Sequence, residues 1–516
     1  MDISEMPENQ TNNKRIAKNT MFLYFRMILI MGVTLYTSRV ILDKLGVEDY
    51  GLYQVVGGVV GMLSFLNGTL SIGTSRFLTY ELGTGNAEKL KRTFSTGFYT
   101  HVILALIVVV LMETGGLWFL YNKLIIPAER LDACFWVFQL SIFTTFVVIT
   151  QVPYTATIMA HERMGIYAYI SIFESFAKLG VCYLLSVSSY DKLIFYAILI
   201  AIVQLLVAAF YRIYSIKIFI ETKLLLVFDK SILKSMLGFS GWNIMANITE
   251  TLKSQGIMVL INMFFAPAVA GAQAVANHVS QAIMQFVNNF RLAINPQIIK
   301  SYAARNEKAS RKLTLQTTVY CFDLILILGL PSIIMMDKLM EVWLVEVPNY
   351  AIPFTQWVII CNIVNTFNAS FYIPMMAANK IKSNSFAAVF IGIGQFVILY
   401  FLLKLGFGPM WIQYMGVIMA ISFSLLVKPL ILIREINYHP QEILMCYWNC
   451  IKVMLIACVF VAPSCYLMNN GMLSTVIKGG ISFVATVFAS YITLDMDTKT
   501  KLRLFMLNKL RKVCID

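Results

Sequence analysis

Glu250 and Lys253 stand inside "ITETLKSQGIMVLI" (Ile248–Ile261), a stretch otherwise apolar enough for the interior of a bilayer. A charge near the bilayer centre costs about 2.5–3.5 kcal/mol on insertion scales. Such a pair needs mutual neutralisation, a ligand, or both. Their spacing puts them on one helix face with Asn243, Asn247 and Ser254. A second apolar segment carries Asn277, Gln281, Gln285, Asn288, Arg291 and Asn295 at helical spacing, and a third carries Asn362, Asn365 and Thr366. Lipid cannot hydrogen-bond these groups, so they face protein or water. One polar stripe can be glue between helices; three stripes point to a hydrated cavity. The chemistry on offer is recognition of a polar, anionic ligand rather than bond-making, because Arg and Lys suit phosphate through charge-assisted hydrogen bonds.

Further charges fall within apolar runs: Arg26, Arg39, Glu113, Glu174, Lys178, Asp323 and Lys452. Glu174 and Lys178, four apart, read as a neutralising pair. Arg39 and Lys452 lie near helix ends, where long cationic side chains snorkel to the surface. Arg26 lies about 14 Å into its helix at 1.5 Å per residue, and with Lys253 and Arg291 it is a candidate cavity cation. Glu250 lowers the insertion cost of Lys253 and leaves the ammonium available. Asp323 is the candidate coupling-ion site. The nine cysteines and four histidines form neither a CxxC nor a Cys/His cluster, so no metal site, disulfide framework or cofactor is expected. No acidic catalytic cluster and no GxxxxGK[ST] loop appears, so neither an enzyme nor an ATPase is expected.

The elements that position these residues follow from composition. The chain has 516 residues, 59% of them hydrophobic and 13% charged, with a mean hydropathy of +0.73. Soluble domains carry about 25% charged residues. The reading is an all-α polytopic membrane protein with about 14 transmembrane helices, near 17–41, 50–73, 93–121, 131–159, 164–187, 193–214, 238–265, 268–297, 313–336, 350–378, 383–403, 409–433, 446–468 and 473–494. The polar N-terminus "MDISEMPENQTNNKRIAKN" precedes no cleavage site, so the first helix is expected to be retained. The net charge of +14 does not imply nucleic acid, because it sits in short loops. Basic segments such as "KLKR" (Lys89–Arg92), "RNEKASRK" (Arg305–Lys312) and the tail Lys499–Lys512 fall on one side, and "LDKLGVEDY" (Leu42–Tyr50) and "DKLMEVWLVEV" (Asp337–Val347) on the other. By the positive-inside rule both termini are cytoplasmic.

Two groups of six helices share a plan. "GLYQVVGGV" from Gly51 and "GAQAVANHV" from Gly271 open the second helix of each, and the same offset pairs Asn86 with Asn306 and Lys91–Arg92 with Arg311–Lys312. An even helix number makes these parallel repeats, a transporter architecture with its expected site at the junction of the lobes. The expected divisions are an N-terminal lobe (1–214), a basic cytoplasmic linker (215–237), a C-terminal lobe (238–433), and two further helices with a basic tail (434–516). Gly57, Gly61, Ser64 and Gly68 form one small helix face, for close packing or for a packing surface that moves between states.

"LGVEDYGLYQVVGGVVGMLSF" (Leu45–Phe65) resembles the second-helix segment of bacterial polysaccharide flippases. "GIMVLINMFFAPAVAGAQAVANHVSQAIMQFVNNFRLAINPQIIKSYA" (Gly256–Ala303), above all "NPQIIKSYA", is similar to the second half of Bacteroidetes-type lipopolysaccharide biosynthesis proteins of the Wzx kind. The resemblance runs over essentially the whole chain. It implies the multidrug/oligosaccharidyl-lipid/polysaccharide exporter (MOP) superfamily, with two six-helix lobes in a V, two extra C-terminal helices flanking a lipid groove, and no catalytic motif. The implied function is translocation of an undecaprenyl-diphosphate-linked oligosaccharide across the bacterial inner membrane for O-antigen, capsule or exopolysaccharide synthesis. A polysaccharide polymerase and chain-length machinery are the implied partners. Substrate-binding candidates are Arg26, Lys253 and Arg291 for the diphosphate, Glu250 to orient Lys253, and Asn277, Gln281 and Asn288 for sugar hydroxyls. A cation-coupled multidrug antiporter of the MATE kind and a lipid II-type peptidoglycan precursor flippase share the fold and stay open. Drug antiporters usually have twelve helices and an acidic cavity, whereas cations outnumber anions in the membrane segments named above.

Overall fold

The computed structural model describes residues 8–161, 163–187, 190–225, 227–234, 236, 248–249, 251–378, 380–469, 471–494 and 499–500. Within these, the side chains of 8–26, 64–73, 164, 253, 292, 293, 296, 300 and 303 lie outside the description. Most of the described residues are helical, with no strand among them. In chain order the helices are α1 (Glu8–Leu45), α2 (Val47–Gly61), α3 (Ser64–Thr84), α4 (Ala87–Leu111), α5 (Leu117–Lys123), α6 (Leu131–Ala160), α7 (Met164–Leu184) and α8 (Lys192–Ile218). They continue with α9 (Ile257–Phe264), α10 (Pro267–Ala303), α11 (Glu307–Ile334), α12 (Met336–Trp343), α13 (Ala351–Ala377), α14 (Lys382–Lys404), α15 (Met410–Ile421), α16 (Lys428–Ile436), α17 (Pro440–Leu467) and α18 (Met472–Thr493). Three π-turns, Met112–Gly116, Leu252–Gly256 and Ser422–Val427, interrupt otherwise continuous helix.

Nine helical stretches of the described residues are long and apolar enough to cross a membrane. They coincide with nine of the fourteen expected spans. The expected spans 17–41, 164–187 and 268–297 fall on α1, α7 and α10, and 50–73 is divided between α2 and α3. The helices leave large apolar side chains uncovered along their outer faces, for example Val110, Leu205, Phe390, Val459 and Val484. A soluble protein does not expose such continuous apolar surface; a bilayer supplies the missing environment. Some hydroxyls on these helices bond their own backbone, as Thr100 does to Thr96 O at 2.7 Å and Thr318 to Thr314 O at 2.8 Å, and those are satisfied without water.

The chain divides into two compact units. The first, residues 1–278, 344–351 and 385–412, has a core in which Val56 and Val60 of α2 meet Val137 and Phe138 of α6, with Leu193 and Ala197 of α8. Here α2 and α10 cross so closely that side chains are excluded. A methyl on Gly51 would stand 2.0 Å from Pro267 O and 3.1 Å from Gly271 N, and one on Gly271 would stand 2.8 Å from Val47 O. The two glycines paired by sequence offset therefore meet at one backbone contact. Beside it, the Tyr50 hydroxyl lies 2.8 Å from His278 Nε2. Buried Asn262 closes the turn after α5 from both sides, accepting from Ile125 N (3.1 Å) and donating to Ile125 O (3.2 Å).

Arg130, in the turn Ala128–Arg130, pairs with both Asp49 of α2 and Asp191, whose carboxylate also caps α8 by accepting from Leu193 N and Ile194 N. Burial raises the Asp49 carboxyl above its usual value, an effect that Arg130 opposes and the second carboxylate, Asp191, reinforces. The folded state thus holds a proton on Asp49 at pH values where the unfolded chain has lost it, and stability falls as pH rises through that window. Arg130→Gln should deepen the fall, because both carboxylates lose their counter-charge. We expect a loss of about 1–2 kcal/mol at pH 7, discounted for the partial exposure of Arg130. Thermal melts of the detergent-solubilised variant should approach those of the parent chain as pH is lowered towards 4. A deficit that does not narrow would exclude this electrostatic account.

The second unit comprises 279–343, 352–384 and 413–516. Its core joins Phe322 and Leu326 of α11, Phe367 and Phe371 of α13, Leu432 of α16, and Cys450 and Val453 of α17. Asn306 caps α11 by accepting from Ala309 N at 3.1 Å, as Asn86 caps α4 by accepting from Lys89 N at 3.0 Å. The offset seen in sequence thus links two residues with the same local function.

Candidate functional site

The polar residues singled out in sequence divide into satisfied and unsatisfied groups. Asn277 is half-buried and already engaged, accepting from Gln273 Nε2 at 3.0 Å one turn earlier on α10. Further along the same helix Gln281, Gln285 and Asn288 are exposed. Asn362 of α13 donates to Ser280 Oγ at 2.7 Å, which makes part of that stripe interhelical glue within the second unit. Asn365 donates to Cys361 Sγ at 3.4 Å and Thr366 to Asn362 O at 3.0 Å, both within their own helix.

Arg291 is different. It is half-buried on α10, just after Phe290, whose ring packs edge-on against Tyr320 of α11 at 6.5 Å. Its Nε and Nη1 are shielded from solvent, yet neither makes a hydrogen bond. A guanidinium held in the fold for structure alone would have these donors occupied, since a buried polar group without a partner costs free energy. Asp323 on α11 is buried and its Oδ1 has no hydrogen-bond partner. No ion pair joins Arg291 to Asp323 among the described residues. Glu250 and the side chains of Arg26 and Lys253 lie outside the described residues, as do Asn243 and Asn247. The backbone at Lys253 belongs to the π-turn Leu252–Gly256.

The other membrane charges are tied locally. Lys178 donates to Glu174 at 2.6 Å, and Gln204 of α8 adds a bond to the same oxygen at 3.1 Å. Gln139 donates to Glu113 at 3.1 Å, and Lys452 lies 5.6 Å over the Trp448 ring. Sequence spacing gave no notice of Lys428. It is 1% exposed, donates to Asn368 Oδ1 at 2.7 Å, and stands 5.4 and 5.2 Å over the rings of Tyr372 and Phe423. The available signal was "LLVKPLIL" (Leu425–Leu432): one lysine between apolar runs, with a proline behind it that reads as a helix end. Lys478 of α18, also buried, lines a cavity of about 370 Å³ with Asp337, Glu341 and Gln356.

No family model matches the chain, and no curated protein matches it. Solved structures do. The lipid II flippase MurJ in an inward closed conformation aligns with a TM-score of 0.68 at 12% identity, covering 91% of this chain and 97% of that one. An inward-facing multidrug resistance MATE family transporter of the MOP superfamily aligns at 0.64 and 13% identity, over 78% and 98%. A MOP superfamily transporter from Pyrococcus furiosus, described by a reversed polarity of its binding pocket, aligns at 0.56 and 14%, over 80% and 95%. The chain shares the fold of these solved transporters. Identities this low establish the architecture alone. Within that fold, Arg291 has two shielded, unbonded donors, and Arg212 of α8 has one, its Nε.

Proposed function

We propose that the chain is a flippase that moves an undecaprenyl-diphosphate-linked oligosaccharide across the bacterial plasma membrane by alternating access, with both termini in the cytoplasm. The observation that carries this reading is coverage. The lipid flippase alignment spans 91% of the chain, whereas the MATE alignments leave about a fifth of it over. Two helices beyond the drug-transporter length favour a substrate with a long lipid tail. The unbonded donors of Arg291 suit its diphosphate, and the exposed amides Gln281 and Asn288 suit its sugar hydroxyls. Arg26, Lys253, Glu250 and Asn277 complete the proposed binding set, and Asp323 is the proposed coupling-ion site. The sequence resemblance selects a surface-polysaccharide unit over a peptidoglycan precursor.

The test is transport by the purified full chain in sealed vesicles. A fluorescent polyprenyl-diphosphate saccharide placed in one leaflet should become accessible to a membrane-impermeant quencher in the other, at least tenfold faster than in protein-free vesicles. Ethidium should not move. Ethidium transport without saccharide transport would replace this reading with the drug antiporter.

A further inference from the structure

A cavity of about 910 Å³ within the second unit is built from the basic end of α11, the start of α17 and the end of α18. Its volume lies within the usual range of small-molecule sites, about 300–1,000 Å³. One end is cationic. Lys308, Arg311 and Lys312 follow at i, i+3 and i+4, so all three stand on one helix face. The same face of α11 continues as apolar Leu315 and Val319 in the next turns, and Met445 of α17 lines the cavity with them. None of the three cations has a carboxylate partner among the described residues. Arg311 spends Nη1 on the Asn437 carbonyl at 2.8 Å, which fixes the guanidinium, while its buried Nε is unbonded. Glu442 faces the same cavity with a buried, unbonded Oε2, and His439 stands at its rim.

Three like charges on one helix face repel each other, and among the described residues lining the cavity the single carboxylate, Glu442, pairs with none of them, which leaves the site net cationic. A ligand that fits must bring an anionic head and an apolar body together. Cations at the end of a membrane-spanning helix stand where lipid phosphates lie, and basic pockets between such helices bind anionic headgroups. We propose that this cavity is a binding site for the phosphate headgroup of an anionic lipid, with its first methylenes against Leu315, Val319 and Met445. This assignment does not depend on which substrate the transporter carries. Two sources share this chemistry: bulk anionic phospholipid and a polyprenyl diphosphate.

The experiment is equilibrium binding to the full chain in neutral detergent. The probes are dioctanoyl phosphatidylglycerol, farnesyl diphosphate, dioctanoyl phosphatidylcholine and inorganic phosphate. One of the two anionic amphiphiles should bind at least tenfold more tightly than phosphatidylcholine or phosphate, and the tighter one identifies the source. K308Q/K312Q, which leaves the Arg311–Asn437 bond in place, should weaken that binding roughly tenfold or more. E442Q should strengthen it several-fold by removing the one carboxylate that repels the headgroup. Equal affinity of the parent chain and K308Q/K312Q for both amphiphiles would overturn the site. Inorganic phosphate binding as tightly as either amphiphile would overturn its assignment to a lipid. Should K308Q/K312Q fail to fold, unchanged affinity in E442Q would be decisive against it.

Discussion

Arg291→Ala should reach the membrane at the level of the parent chain and export almost no glycan. Nε and Nη1 of Arg291 are shielded and unbonded in the described fold, so truncation removes no structural hydrogen bond from either atom. Each hydrogen bond to a charged group contributes about 1.5–3 kcal/mol. Losing two to a diphosphate is then worth about 3 kcal/mol or more, roughly a hundredfold in affinity. Arg291→Lys should recover part of the activity, because it keeps the charge and loses the planar fork. Stability should move in the opposite direction to transport. Arg291→Met replaces an uncompensated shielded cation with an apolar side chain of similar reach, and its melting temperature should equal or exceed that of the parent. The readouts are surface glycan per molecule of inserted protein and thermal melting of the purified chain. Full export by Arg291→Ala at normal abundance would remove this residue from the binding set.

Gly51→Ala should be the most damaging single methyl addition in the first unit. The new carbon would stand 2.0 Å from Pro267 O and 3.1 Å from Gly271 N, and these are backbone atoms at the start of α10. Neither can rotate away, so a helix must shift. Overpacking of this sort costs about 1–3 kcal/mol, and backbone contact places it at the upper end. Gly479→Ala is the control. Its methyl would come within 1.8 Å of Met335 Sδ, a shorter distance on paper, but the thioether is the far end of a flexible side chain. Gly51→Ala should therefore lower folded yield and melting temperature clearly more than Gly479→Ala. The reverse order would show that side-chain crowding, and not the α2–α10 crossing, limits stability.

How far sequence reaches here depends on whether a signal is local. Hydropathy located the nine long spans because each reports on its own twenty or so residues. The Asn86 and Asn306 pairing was legible because an N-cap acts on the amide three residues ahead. Glu174 and Lys178 were legible for the same reason. Lys428 was not, since what shelters it, Asn368 and Tyr372, comes from a helix some sixty residues earlier in the chain. The bridge from Arg130 to Asp49 and Asp191 joins three segments, none of which marks the others in sequence. Polar stripes located Arg291 but could not say which amides were already spoken for. Asn362 turns to Ser280 and Asn277 to Gln273, while Gln281 and Asn288 do not; that distinction needed coordinates.

The π-turns at Met112–Gly116, Leu252–Gly256 and Ser422–Val427 carry a consequence for the gene. A π-turn is an α-helical turn with one residue too many, so each is what a single-codon insertion leaves behind. Deleting one codon there would heal the backbone into plain α-helix. It would also rotate every later side chain on that helix by about 100° relative to those before it. Glu113 and Lys253 sit inside such turns and Lys428 directly after one. Relatives that lack the extra residue would present a different face of the later turns at the same depth in the bilayer. Gaps of one in an alignment of distant chains belong at these three places, and an alignment that forbids them will slip the charged positions out of frame.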